Sequence, residues 1–246
     1  MTGSERTRRR AALAAILILV VFAASGRTQH GGEADPDELY RHREDLSQAA
    51  RAADLWAKQS DFEAAWKLGR VCYWLGTHDA VEHRRAALDR GVLAGERAVR
   101  LDDGKPEGHF WLAANMGRLA DAFGIVQGLK YRGRIREELE RVRILAPAWQ
   151  GGLADAALGE WYATVPRLLG GSRQLAESHL RRALTIDAAN TFALYTLGHL
   201  LAVEGRKDEA RALLARVVDA PFDPEWAAED RDLKQQSIAV LLQLGK

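Results

Sequence analysis

The chain is poor in the residues that staple or ligate. Its single cysteine, Cys72, excludes an intrachain disulfide and any zinc site built on cysteines, and it is expected to serve as a small core residue. Neither sign of charge is in excess. With 35 Lys and Arg against 34 Asp and Glu, no nucleic-acid or lipid surface is implied by composition. No stretch reads as a β-strand, because Ala, Leu, Arg and Glu dominate while β-branched residues are scattered, a balance that favours helix nearly everywhere after position 35. No segment has the flanking pattern of a nucleophile elbow, a phosphate-binding loop or a dinucleotide fingerprint. No catalytic residue and no cofactor is therefore expected.

Long apolar runs are missing except for one, Ala11 to Ala24, which follows Arg6, Arg8, Arg9 and Arg10. A basic stretch followed by a 14-residue apolar core is the form of an export signal. As a helix it would rise about 21 Å, short of the roughly 30 Å hydrocarbon core, so cleavage is expected over spanning. Ala23 and Ser25 give small residues at cleavage spacing, and residues 1–26 are read as a signal peptide with an inner-membrane anchor through residues 11–24 as the alternative. Cleavage after Ser25 would remove four Arg and one Glu, taking the net charge from +1 to about −2. The expected location is periplasmic or exported.

Residues 27–35 form a polar linker, and helices follow to the end of the chain at 246. Asp35-Pro36-Asp37-Glu38 offers a cap, a proline at the first helical position and first-turn acids, predicting a helix to about Lys58 with Leu39, Leu46, Ala49, Ala50, Ala53 and Trp56 on one face. Ser60 to Glu63 has the form of a capping box for the next helix. Gly91, Gly95, Ala98 and Val99 make a small face in a looser stretch from Asp79 to Leu101, with a longer turn than usual before it. A helix after Pro106, another over Leu129 to Leu145, and a closing helix announced by Asp223-Pro224-Glu225 continue the series. The register is clearest where Leu194, Leu197, Gly198, Leu201, Gly205, Ala210, Leu214 and Val217 fit the large, small and turn positions of a tetratricopeptide repeat. The same template laid upstream takes Leu158, Gly159 and Tyr162, then Ala176, Leu180 and Ala183, with five extra residues in the intervening turn. The reading is an all-α, tetratricopeptide-like α-solenoid of about five antiparallel helix pairs, each burying its apolar face against its neighbours and the charged last helix capping the stack.

Candidate contact residues follow from that register. Trp66, Trp74, Trp111 and Trp161 fall on first helices of pairs, where an indole either packs helix on helix or anchors a partner in the concave surface. The turn Thr164 to Ser172 places Leu168 and Leu169 between Pro166 and Gly170-Gly171, apolar residues in what should be a polar turn. They either tuck over the helix ends as a lid or meet a partner. The candidate surface is therefore Trp66, Trp111, Asn115, Trp161, Tyr162, Pro166, Leu168, Leu169, Gly170 and Gly171. His78, Asp79, Glu82 and His83 have metal-ligand types at helical spacing, but a solvated helix start explains them and no metal is expected. Asp155 and Glu160, five apart, do not share a helix face and make no acid-base pair.

Three segments together carry a family likeness: Gly152-Leu-x-x-Ala-Ala-Leu-Gly-x-x-Tyr162, Val165-Pro-x-x-Leu-Gly-Gly171 and Ala176-x-x-x-Leu-x-x-Ala-Leu184. This pattern resembles the T-component of tripartite ATP-independent periplasmic (TRAP) transporters, and regulators of microtubule dynamics share its general form. His109 to Gly117 fits it too, so the resemblance covers roughly Asp61 to Lys246. It implies an all-helical periplasmic protein that pairs with a solute-binding protein, and a passage for a small hydrophobic or organic-acid ligand. T-components are typically lipid-anchored, and no cysteine stands directly after the apolar core here. A scaffold for a protein partner is the function expected, with a ligand carrier as the alternative.

Overall fold

The computed structural model describes residues 34–245, so the expected signal segment and its cleavage site lie outside the described residues. From Ala34 onward the chain forms one compact unit, and its described residues hold eleven α-helices and no strand. No described helix is long and apolar enough to cross a membrane.

Capping residues set the helix boundaries and correct several sequence expectations. The single helix expected to Lys58 is two, α1 (Pro36–Arg41) and α2 (Leu46–Ala57), because Asp45 accepts from the Ser47 amide at 2.9 Å and starts a new helix. The bend turns Arg43 inward, where it is 4% exposed, and leaves Ala50 facing water. For α3 (Phe62–His78) the cap is Asp61, not Ser60: Asp61 accepts from the Ala64 amide at 3.0 Å, while Glu63 accepts from the Trp66 indole. A turn of only two residues, Asp79 and Ala80, joins α3 to α4 (Val81–Leu101), so the helices are long and the turn short, the reverse of what the sequence suggested.

Helices α5 (Pro106–Phe123) and α6 (Ile125–Leu145) meet at Gly124, where φ is +83°, and α6 therefore starts four residues before Leu129. The turn Trp149–Gly152 carries three successive left-handed residues, Gln150 among them at φ +46°. There follow α7 (Leu153–Thr164), the 3₁₀ turn Arg167–Leu169, α8 (Arg173–Ile186), α9 (Thr191–Val203) and α10 (Lys207–Asp219). Closing the chain, α11 (Ala227–Leu244) begins only after Asp223 has accepted from the Glu225 amide in a tight turn, three residues later than Pro224 suggested.

From α1 to α10 the packing is between neighbours, as a solenoid requires. One core joins α1–α3 around Trp56, Leu68 and Trp74, a second joins α4–α7 around Leu112, Met116, Leu139 and Leu158, and a third joins α7–α10 around Leu180, Leu197, Leu201 and Leu214. Close approach is enforced by small residues. A Cβ on Gly95 of α4 would stand 2.7 Å from the Leu112 Cα of α5.

Helix α11 departs from the cap expected of it. Its Ala228 belongs to the first core and its Leu244 to the third, a reach consistent with the roughly 27 Å rise of an 18-residue helix. Polar contacts fasten its start to the first helices: Arg43 pairs with Glu229 and donates to the Glu225 carbonyl at 2.9 Å, His78 meets Asp232 at 2.7 Å, and Arg231 meets Glu44 at 2.6 Å. Buried Asp230 accepts from the Thr191 hydroxyl at 2.7 Å, tying the same helix to α9. The last helix thus clasps the first core to the third.

Candidate functional site

Four indoles converge where that clasp crosses α3 and α5. Trp66 and Arg70 lie one turn apart on α3, and Glu107 and Trp111 one turn apart on α5, so each pair shares a helix face. Trp149 and Gln150 come from the turn before α7, and Glu225 and Trp226 from the turn before α11. Together they line a cavity of about 160 Å³. Trp111 stacks on Trp226 with centroids 6.2 Å apart, and Phe110 braces Trp149 at 5.0 Å. Gln150, held in its left-handed conformation, accepts from the Trp226 indole at 3.4 Å. A non-glycine residue at positive φ is uncommon and concentrates where a site needs it.

Charge in this cavity is unevenly matched. Arg70, 7% exposed, lies over the Tyr40 and Trp66 rings at 4.1 and 4.9 Å and donates to Glu225 at 2.8 Å. Its Nε and one oxygen of Glu107, Oε2, are buried without a hydrogen-bond partner. Burial pushes the neighbouring Tyr40 phenol far up, keeping it neutral.

A second polar group spans the first helices of successive pairs: Tyr73 on α3, Arg118 and Asp121 on α5, Glu160 on α7 and Tyr195 on α9. Glu160 retains accessible surface, yet the surrounding protein displaces enough water to push its pKa up to about 7, with the Asp121 charge adding and Arg118 opposing. Asp121 is raised by burial against the pull of Arg118, 3.8 Å away. Burial raises the Tyr73 phenol to about 12. Asp155, the other carboxylate weighed in sequence, is fully buried and accepts from His179 at 2.8 Å. Glu160 interacts instead with a carboxylate 39 positions earlier.

The inserted turn between α7 and α8 is built by backbone contacts. Gly171 donates to the Pro166 carbonyl at 3.2 Å and Ser172 to the Tyr162 carbonyl at 2.9 Å. A Cβ on Gly171 would stand 1.7 Å from the Val165 carbonyl oxygen, so only glycine fits. Leu168 projects from this frame 98% exposed, and Leu169 is half-buried. Leu168 is therefore no lid on the core.

The sequence candidates are dispersed among these places. Trp66 and Trp111 meet at the cavity, whereas Asn115 is fully buried and donates to the Gly69 and Trp111 carbonyls at 2.9 and 2.7 Å. It joins α5 to α3 and presents nothing to a partner. Trp161 is buried, its ring perpendicular to that of Tyr162, which is half-buried and stacks on His179. Pro166, Leu168, Leu169, Gly170 and Gly171 form the separate turn. Trp74 donates to the Arg43 carbonyl inside the first core. His78 stacks on Trp74 and reaches Asp232, His83 lies 3.5 Å from Asp79, and among the described residues no three His, Cys, Asp or Glu are grouped to hold a metal. Burial pushes the Cys72 thiol up to about 12. Trp149, Trp226, Arg70 and Glu107 were absent from the sequence candidates. The first two sit in turns, where helical periodicity gives no signal.

Antiparallel helix pairs stacked on their neighbours, with α11 returning to the first core, define the class: a tetratricopeptide-like helical scaffold, a fold suited to protein-protein interaction. The family model for regulator of microtubule dynamics protein 1-3 matches residues 34–177, more than half of the chain, and the chain belongs to that family. A tetratricopeptide-repeat model matches residues 169–228. No curated protein matches the sequence. Among solved structures, the fold is similar to that of a thermophilic TPR protein of Thermus thermophilus, at 23% identity and a TM-score of 0.63, covering 84% of this chain and 97% of that one. MamA is 16% identical with a TM-score of 0.49, covering 79% of this chain and 95% of its own. The assembly chaperone of RpL4 is 17% identical with a TM-score of 0.38, covering 86% and 89% respectively.

Proposed function

We propose that the protein is a non-enzymatic, exported scaffold that binds a protein partner, with the Pro166–Gly171 turn as a principal contact. The observation that carries this reading is Leu168, an apolar side chain 98% exposed on a turn whose backbone is fixed from both ends. A rigid apolar anchor loses little entropy on docking, and burying it contributes about 1.5 to 3 kcal/mol. The N-terminal Arg-rich and apolar segment supports export, with a periplasmic location and a mature start near Gly26. The likeness of residues 152–184 to TRAP T-components supports a periplasmic solute-binding protein as the partner.

A pull-down from the native periplasm, comparing wild type with Leu168→Asp, tests the reading. The variant should lose the wild-type partner while keeping its helical spectrum, and a solute-binding protein in the wild-type capture would support the transporter role. Unchanged capture by the variant overturns the placement of the contact. Mass spectrometry should find the new N-terminus near Gly26, and intact Met1 in the membrane fraction would instead favour the anchor. A second reading, a carrier for a small ligand, is favoured by the indole-lined cavity of about 160 Å³.

A further inference from the structure

The cavity's own chemistry selects its occupant. Four tryptophans contribute to the walls, and an indole face is the best neutral surface for a cation. Of the charged groups that line it, Arg70 is matched by Glu225 at 2.8 Å, while Glu107 makes no ion pair among the described residues and keeps one buried oxygen without a hydrogen-bond partner. The lining therefore carries one carboxylate in excess. An anionic ligand could reach the unpartnered Arg70 Nε, but it would meet the excess carboxylate and a guanidinium that already holds Glu225 and lies over two rings. A neutral apolar ligand leaves the excess negative charge of the lining without a counter-charge.

We propose that this cavity binds a quaternary ammonium group, as a free solute or as the headgroup of a larger molecule. A methylated ammonium spreads its charge over methyl groups, so it loses less hydration than a metal ion or a bare ammonium and presents apolar surface to indoles. Size agrees: a cavity of about 150 Å³ can hold a benzene-sized guest, and this one is about 160 Å³. Trp226 and Glu225 belong to the turn that opens α11, so the clasp itself supplies part of the wall. This assignment does not depend on the Leu168 contact.

The test is titration of the full-length protein with choline, followed by tryptophan fluorescence and calorimetry, beside its uncharged carbon isostere dimethylbutanol. Choline should perturb indole emission and bind at least about tenfold more tightly than the isostere, as expected for a desolvated cation-π contact. Glu107→Gln, which retains the side chain's size, should weaken choline about tenfold without changing isostere binding. Leu168→Asp should bind choline as wild type does. Glycerophosphocholine, titrated alongside, distinguishes the sources: tighter binding than choline points to a headgroup, weaker binding to a free solute, and either supports the site. Equal binding of choline and isostere, or no choline binding by wild type, overturns the proposal. So does an unchanged affinity in Glu107→Gln together with an unchanged affinity in Trp149→Leu.

Discussion

Removing Glu229 should release the clasp between the first and third cores. Arg43 is 4% exposed, pairs with Glu229, and lies over the Tyr40 and Trp74 rings at 4.5 and 5.2 Å. Glu229→Ala leaves that guanidinium buried without its counter-ion, a loss that costs about 3 to 5 kcal/mol for a fully buried pair. Two features reduce the figure here: the Glu229 side chain is 23% exposed, and the Glu225 carbonyl still accepts from Arg43 at 2.9 Å. The expected destabilisation is about 2 to 3 kcal/mol. With a urea slope of about 2 to 3 kcal/mol per molar, the midpoint should fall by about 1 M. Hydrogen exchange should speed up in α1, α2 and the start of α11, and less in α9 and α10. The double replacement Arg43→Met with Glu229→Leu should recover most of the loss, because an apolar pair can substitute for a buried ionic one. A single variant within about 0.5 kcal/mol of wild type would refute the clasp.

Two further perturbations probe other parts of the structure. Glu160 has a folded pKa of about 7 against an ordinary 4.5, so the folded state holds its proton more tightly than the unfolded one. The stabilising contribution is complete below about pH 4.5 and is lost as pH rises through 7. Glu160→Gln should therefore flatten the stability profile over that window and stabilise the protein at pH 8, whereas a profile unchanged by the substitution contradicts the desolvation of Glu160 to which Asp121 adds. Gly95→Ala should destabilise by about 1 to 3 kcal/mol, since its Cβ meets the Leu112 backbone rather than a movable side-chain end. Thermal unfolding of that variant checks it, and a rise in midpoint would show that α4 and α5 are less closely packed.

Local signals made much of the fold legible in the sequence. The α9–α10 pair was readable because Leu194, Leu197, Leu201, Ala210, Leu214 and Val217 combine helical spacing with a turn glycine, and all six side chains are buried. Asp45 was harder: its capping bond to Ser47 competes with continuation of a helix, and periodicity alone favours continuation. The role of α11 was hidden for a different reason. Its contacts Arg43–Glu229 and His78–Asp232 join residues more than 150 positions apart, and charged residues on a terminal helix read equally well as a solvated face. The cavity was half legible, since Trp66 and Trp111 lie on predicted helices while Trp149 and Trp226 reach it from turns. Asn115 was misplaced because a polar residue beside an indole looks the same in sequence whether it faces a groove or carries a bond between two helices.

Leu168 offers the most direct test of the scaffold account. A photo-crosslinking residue in place of Leu168 in the native host should give one discrete crosslinked partner, while the same residue in place of Val203, also exposed but in α9, should not. Crosslinks of the same pattern from both positions, or none from position 168, would contradict the claim that this turn docks a specific protein.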